Sequence, residues 1–167
     1  MANKKLVVIF PGGNYIADMP LFLIGRWTIN MNYLIKNVSS KQELEKAYNF
    51  FKTIFIGMPV VDNPEYSLKK WEERMKHNSD LMLYASLNDE VIGIVFGRII
   101  NNSVTIGPVA VHNNYRRNGI AKAMILLLEK RVRHYGIHSI TLGAVESAEK
   151  FYRKLGYTGS LLIQCYY

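Results

Sequence analysis

Apolar residues recur along this chain with two different periods, which separate predicted helices from predicted strands. Between residues 41 and 55 they fall three or four positions apart, as on one face of an α-helix. Glu43 follows Ser40 by three positions, which is the spacing of an N-terminal capping box. The helical period returns over about residues 67–76, 121–135 and 147–155, so the sequence predicts four helices.

Short apolar runs between these helices predict strands over about residues 33–38, 81–87, 91–100, 103–111, 139–142 and 161–165. Asn88 with Asp89, and Asn101 with Asn102, separate the second, third and fourth runs, and such pairs are typical of hairpin turns. Three antiparallel strands are therefore expected there. The later strand–helix–strand order predicts a parallel crossover. The predicted fold class is α+β, a mixed and mostly antiparallel sheet with helices on both faces.

Residues 1–30 do not continue this pattern. Residues 6–10 form a short apolar run that Pro11 and Gly12 interrupt, and a second apolar group at residues 21–24 ends at Gly25. Residues 1–30 are therefore predicted to be an N-terminal appendage, and residues 31–167 to form the principal domain.

The formal charge of +8 favours a polyanionic partner, which can be a nucleic acid, a membrane surface or a nucleotide-like cofactor. No massed basic or aromatic face is evident, so we expect no nucleic-acid partner. The longest apolar runs are far shorter than the roughly 20 residues that span a bilayer, so we expect no membrane partner. The lone Cys165 excludes an internal disulfide and a multi-cysteine metal site, which favours a cytoplasmic protein without a metal.

The segment from Arg116 to Ala121 is the most informative part of the chain. It joins the predicted strand that ends at Val111 to the helix that follows. A strand that turns through a glycine directly into a helix leaves unpaired backbone N–H groups at the helix start, and these suit a phosphate-bearing ligand. Gly119 permits a close approach because it has no Cβ, and Asn118 tolerates a left-handed turn conformation.

Two motifs resemble those of the GNAT superfamily of N-acetyltransferases. Arg116, Gly119 and Ala121 fit the family pattern of arginine or glutamine, two residues, glycine, one residue, then glycine or alanine. The later motif is similar at Ala148, Phe151, Tyr152, Leu155, Gly156 and Tyr157. The resemblance covers about residues 32–164, and it is specific because both motifs occur in order with a predicted strand between them.

The resemblance implies acetyl-CoA as the cofactor, with CoA as product. Gly107 and Pro108 interrupt a predicted strand, and family members splay this strand from the next parallel one so that the pantetheine arm lies in the gap. Tyr152 would then protonate the departing thiolate, because a phenol is protonated at pH 7. The cofactor-binding residues expected from the resemblance are Val109, Val111, Arg116, Arg117, Asn118, Gly119, Ile120, Ala121 and Lys122.

The expected reaction is direct transfer of the acetyl group to a primary amine of a small molecule or, as a second choice, a peptide. A backbone N–H near Val111 would polarise the thioester oxygen. In similar proteins the acceptor is selected by loops, which here means residues 56–76 and the C-terminal segment. Tyr66 and Trp71 would stack on a flat or cationic acceptor, or else belong to the core.

The sequence does not identify the general base that a protonated amine requires. Candidates by position are four acidic residues and one histidine: Glu73, Asp80, Glu90, Glu146 and His112. A non-catalytic module that senses acyl-CoA is therefore the alternative function. A homodimer is also expected to be possible, because an uncapped last strand would expose edge groups to a partner.

Overall fold

The computed structural model describes residues 15–16, 32–144 and 146–158 and contains a six-stranded sheet. The strands are β1 (Tyr15–Ile16), β2 (Leu34–Asn37), β3 (Met82–Leu87), β4 (Glu90–Ile100), β5 (Ser103–Val111) and β6 (Ser139–Leu142). The helices are α1 (Lys41–Ile54), α2 (Leu68–Asn78), α3 (Ile120–His134) and α4 (Glu149–Lys154). Short 3-10 turns occupy Pro59–Val61, Pro64–Tyr66, Ser79–Leu81, Asn113–Tyr115 and Glu146–Ala148.

The strands lie in the sheet in their chain order. Neighbours from β1 to β5 pair antiparallel, whereas β5 and β6 pair parallel across the crossover through α3. The turns between β3, β4 and β5 have positive φ at Asn88, Asp89 and Asn101, a conformation that asparagine and aspartate adopt more readily than most residues. The predicted mixed, mostly antiparallel sheet is confirmed.

Two apolar clusters cover the two faces of the sheet. Met124 of α3 shares one cluster with Ile106 of β5. Phe51 of α1 and Trp71 of α2 share the other with Ala110 of β5. Side chains of β5 reach both clusters because successive residues of a strand point to opposite faces. Helices therefore lie on both faces, as predicted.

The first helix begins with the predicted capping box. The Ser40 side chain accepts a hydrogen bond from the Glu43 N–H, and Glu43 Oε2 accepts one from the Ser40 N–H. Glu43 also accepts hydrogen bonds from Ser39 and from the Tyr84 hydroxyl of β3. Partial burial disfavours the charged form of Glu43, but these hydrogen bonds outweigh it and lower its pKa to about 2. One carboxylate thus ties α1 to the sheet.

Glu43→Gln is expected to lower the free energy of unfolding at pH 7 by about 1 kcal/mol, since solvent screens part of this charge. Because the folded-state pKa lies below the ordinary value of 4.5, the contribution is present above pH 4.5 and is lost as the pH falls toward 2. Urea denaturation between pH 7 and pH 3 should show the two proteins converging. Glu45→Gln, at an exposed position of α1, is the control; a pH-independent deficit in Glu43→Gln would contradict the assignment.

Several predictions fall on residues that the structure does not describe. The apolar runs at 6–10 and 21–24 and the last predicted strand at 161–165 lie outside the described residues. The division into an appendage of residues 1–30 and a domain of residues 31–167 stays a prediction. No helix in the described part is long and apolar enough to cross a membrane.

Candidate active site

The fifth strand contains the interruption that its sequence predicts. Two residues of β5, Gly107 and Pro108, lie opposite the single residue Phe96 of β4, where the register of the ladder shifts. A bulge of this kind bends the strand, and proline has no N–H to give to the ladder. The bend occurs in β5, the strand that has both an antiparallel and a parallel neighbour.

The parallel strands β5 and β6 separate next to this bulge. Pairing of β5 with β6 runs from Ser103 with Ser139 to Ile106 with Leu142 and ends there. Beyond Ile106, within the described part of the chain, β5 has no hydrogen-bonded strand on that side. The gap thus formed, from Gly107 to Val111, is called the splay gap below.

Backbone groups of β5 point into the splay gap. The His112 N–H donates to Ile92 O at 2.9 Å, so this residue faces β4. Because backbone groups alternate in direction along a strand, those of Val109 and Val111 face the opposite side. Arg116 confirms this direction, since its Nε donates to Val111 O at 2.9 Å. The N–H groups of Val109 and Val111 therefore line the gap.

The turn after β5 is held by its own side chains and has two left-handed residues. Arg117 has φ of 66° and Gly119 has φ of 79°. Asn118 lies between them and does not adopt the left-handed conformation that asparagine tolerates. Its side-chain amide instead donates to Tyr115 O and Arg116 O, both at 3.2 Å, which satisfies two carbonyls of the turn.

Residues 117–122 present six consecutive backbone N–H groups at the start of α3, here called the N–H row. None of them donates a hydrogen bond to any other atom of the described chain. The first helical bond runs from the Ala123 N–H to Gly119 O at 2.9 Å. Such unpaired donors, together with the positive end of the helix dipole, attract anions. The side chains of Arg117 and Lys122 are exposed beside the row.

Tyr152 of α4 belongs to the same buried cluster as Val111 and Ile120. The residue is 8% exposed, and burial raises its pKa to about 12. Within the described residues its hydroxyl has no hydrogen-bond partner. A phenol that is protonated, largely enclosed and not engaged by the protein is free to donate to a bound ligand.

The neighbouring Tyr157 differs from Tyr152, because its hydroxyl is hydrogen-bonded within the protein. Its hydroxyl donates to Glu129 Oε1 of α3 at 2.6 Å, and its ring meets the Tyr152 ring edge-on at 6.0 Å. Burial and this hydrogen bond both raise the pKa of Tyr157. The contact fixes the chain after α4 to α3 and packs one side of Tyr152.

Tyr157→Phe is expected to lower the free energy of unfolding by about 1.5–3 kcal/mol, because it leaves the Glu129 carboxylate partly buried without its donor. Urea denaturation at pH 7 measures this loss. The double variant with Glu129→Leu should recover part of it, since the partly buried carboxylate that lost its donor is then removed, although its 3.8 Å ion pair with Arg133 is lost as well. Equal stability of Tyr157→Phe and the parent protein would contradict the assigned hydrogen bond.

Two of the carboxylates that are candidate bases are engaged elsewhere, and a third is exposed at a turn. Glu73 of α2 pairs with Lys70 at 3.0 Å, and this hydrogen bond lowers the Glu73 pKa. Asp80 accepts a hydrogen bond from the Tyr135 hydroxyl at 2.7 Å. Glu90 is exposed at the β3–β4 turn. Within the described part none of the three forms a hydrogen bond with β5.

His112 follows the splay gap directly. Its Nδ1 accepts a hydrogen bond from the Asn114 N–H at 3.3 Å, so a neutral ring carries its proton on Nε2 and cannot accept a second one there. The side chain of Glu146 is outside the described set. Among the described residues, no three His, Cys, Asp or Glu side chains are grouped to hold a metal ion.

Tyr66 and Trp71 prove to have different surroundings. Trp71 is fully buried between α1 and β4, so it belongs to the core and is not available for stacking on an acceptor. Tyr66 stacks on Phe51, and its hydroxyl lies 3.5 Å from where a Cβ on Gly107 would be. The segment between α1 and α2 therefore reaches the bulge of β5 on the face opposite α3.

The family profile described as Acetyltransferase (GNAT) family matches residues 43–157, which include the splay gap, the N–H row and Tyr152. The match covers more than half of the chain, and the chain belongs to this family.

Known proteins agree with this placement. An acetyltransferase of Pectobacterium atrosepticum is 32% identical over 99 residues, which are 58% of this chain and 68% of the relative. The PaiA N-acetyltransferase of Thermoplasma acidophilum, solved in complex with coenzyme A, superposes with a TM-score of 0.63 at 22% identity, over 78% of this chain and 92% of that one. AAC(6')-Iy, solved with the bisubstrate analogue CoA-S-monomethyl-acetylneamine, gives 0.62 at 17% identity over 81% and 97%. The last two likenesses establish the fold alone.

Proposed function

We propose that this protein transfers an acetyl group from acetyl-CoA to a primary amine. The observation that carries the proposal is the N–H row together with the strand N–H groups of the splay gap, which Arg116 links through its hydrogen bond to Val111 O. A diphosphate needs several convergent donors, and an extended arm needs unpaired strand groups next to them. Both occur here in sequence, so the residues present fit this cofactor. The PaiA and AAC(6')-Iy complexes support it, since both hold CoA or a CoA analogue on the same fold.

Each predicted cofactor residue has a role in this proposal. The N–H groups from Arg117 to Lys122 bind the diphosphate, and the exposed side chains at the two ends of the row add positive charge. Val109 and Val111 offer strand N–H groups to the pantetheine arm and the thioester oxygen. Arg116 acts on the protein itself, because its Nε holds Val111 O and fixes the corner between strand and turn.

The bound cofactor would supply a thioester, whose carbonyl carbon is open to attack by an amine. The protein orients that carbonyl by hydrogen bonds from β5, which also draw charge onto its oxygen. Tyr152 holds a proton at neutral pH because its pKa is raised to about 12, and it gives that proton to the departing sulfur. None of the described candidates is assigned as the base, so the amine is expected to bind in its neutral form or to lose its proton to water.

The test is CoA release from acetyl-CoA, followed with a thiol reagent in the presence of an amine panel. The panel holds small amines and peptides with free amino groups, and each reaction is compared with the acetyl-CoA blank. Amine-dependent CoA release with a matching acetylated product is expected. Tight acetyl-CoA binding without release for any amine would instead support the acyl-CoA sensor.

A further inference from the structure

A charged groove lies on the α1 and α2 face of the sheet, beside the splay gap. Its volume is about 420 Å³, and the ionisable residues that line it are Glu65, Lys70, Glu73, Arg74, His77 and Arg98. Glu65 comes from the 3-10 turn before α2, Arg74 from α2 and Arg98 from β4. Three separate elements thus bring their charges to one place.

A single carboxylate in this groove faces two guanidinium groups. Glu65 Oε2 accepts hydrogen bonds from Arg98 Nη1 at 2.5 Å and from Arg74 Nη2 at 3.1 Å. Arg74 Nη2 also donates to Glu65 O at 2.7 Å. Within the described residues, the Nε of each arginine and its other terminal nitrogen have no acceptor. Several N–H donors of Arg74 and Arg98 are therefore not used by the described residues.

The charges of the groove do not balance. Lys70 is paired with Glu73, whereas Arg74 and Arg98 share Glu65 alone, which leaves one positive charge in excess. The Arg74 side chain is only 14% exposed. Burial and the nearby charge of Arg98 both lower the Arg74 pKa, so the two guanidinium groups are close enough to repel each other. An additional anion would relieve that repulsion.

The groove is within reach of the reaction that we propose. Arg98 pairs with Thr105 across the sheet, two residues before Gly107. Strand spacings of about 3.3 Å per residue and about 4.8 Å between strands put the Arg98 Cα roughly 8 Å from that of Gly107 and, by the same register, roughly 11 Å from that of Val109, whose N–H lines the gap. Tyr66, next to Glu65, lies directly over Gly107. A small molecule can span this distance.

We propose that the Arg74–Arg98 pair binds a carboxylate or phosphate group of the amine acceptor, whose amino group then reaches the splay gap. The proposal rests on the acetyl transfer proposed above and names the acceptor class, an amine with an anionic group several bonds away. Guanidinium groups bind both anions through paired N–H donors. Glu65 holds the two arginines in place but also competes for them.

Calorimetry on the protein saturated with CoA tests the binding step without turnover. The probes are 6-aminohexanoate, its neutral amide, and 5-aminopentyl phosphate, which share the amine and differ in the distal group. At least one anion should bind about tenfold or more tightly than the amide, and the better of the two identifies the preferred anion. Equal affinity of all three probes would overturn the proposal.

Substitutions test whether the preference for the anionic probe depends on the residues of the groove. Arg98→Gln should abolish the preference for the anion, and Arg98→Lys should retain part of it because the charge remains without the paired donors. Glu65→Gln should raise the affinity for the anion several-fold, since it removes the competing charge. Lys46→Gln, at an exposed position of α1, loses the same charge outside the groove and should bind like the parent. Weaker anion binding in Glu65→Gln would contradict the proposed competition.

Turnover with acetyl-CoA separates this proposal from the function on which it rests. If neutral and anionic amines are acetylated with equal KM, the proposed acetyl transfer is supported and the proposed anion site is contradicted. If the anionic probe binds more tightly than the amide but no amine is acetylated, the anion site is supported and the proposed transferase activity is contradicted. A KM that rises for the anionic amine alone in Arg98→Gln, with kcat unchanged, supports both.

Discussion

Tyr152→Phe is expected to lower kcat for amine acetylation by about 100-fold or more, the usual contribution of a positioned proton donor. The substitution removes one hydroxyl that has no partner among the described residues, so the packing of α4 should be retained. The affinity for CoA should stay within about twofold of the parent, because the phenol does not belong to the N–H row. Steady-state kinetics and calorimetry with CoA measure the two effects separately.

Tyr135→Phe is the matched control for this result. Its hydroxyl donates to Asp80 at the far end of α3, and the residue is 46% exposed. Loss of that hydroxyl should leave kcat close to the parent value. Turnover by Tyr152→Phe at the parent rate would show that the proton reaches the leaving sulfur from another group, such as water.

Gly119→Asp is expected to weaken CoA binding by about 10- to 100-fold, since a carboxylate about 5 Å from a diphosphate charge costs about 1–3 kcal/mol at a partly exposed site. Gly119 has φ of 79°, and a Cβ built there meets nothing within 4 Å. Aspartate adopts this conformation more readily than most residues, so the variant should fold. Calorimetric titration with CoA gives the affinity.

Gly119→Asn is the control for the Gly119→Asp variant, because it adds the same Cβ and nearly the same shape without the charge. Any shared loss of affinity reports the closeness of the ligand to the backbone, and the ratio between the two variants reports the charge. The ratio of the two affinities should shrink as the salt concentration is raised from about 50 mM to about 1 M, because salt screens interactions between exposed charges. Identical affinities at low salt would mean that no phosphate lies near Gly119.

Local signals in the sequence predicted the elements well. The capping box at Ser40 and Glu43 and the Asn88–Asp89 turn depend on residues within a few positions of each other, and both occur in the structure. The bulge at Gly107 and Pro108 also follows from local chemistry, since neither residue supports a regular ladder. Helix ends differ from the prediction by one or two residues, and 3-10 turns follow α2 at Ser79–Leu81 and precede α4 at Glu146–Ala148.

Contacts between distant parts of the chain were not predictable in the same way. The pairing of Glu65 with Arg98 joins residues 33 positions apart, and no local pattern indicates it. From the sequence alone, a single charged residue is predicted to be exposed to solvent, and only the fold shows which residue it pairs with. The roles of Tyr152 and of the N–H row in binding and catalysis stay predictions.

The central claim is that residues 117–122 hold the diphosphate of CoA through their backbone N–H groups. An NMR titration of ¹⁵N-labelled protein with CoA observes those groups directly. The account predicts that the largest amide shifts at saturation fall on Arg117 to Lys122, with smaller ones at Val109 and Val111. Saturable CoA binding that leaves the amides of residues 117–122 unmoved, or no binding at all, would contradict it.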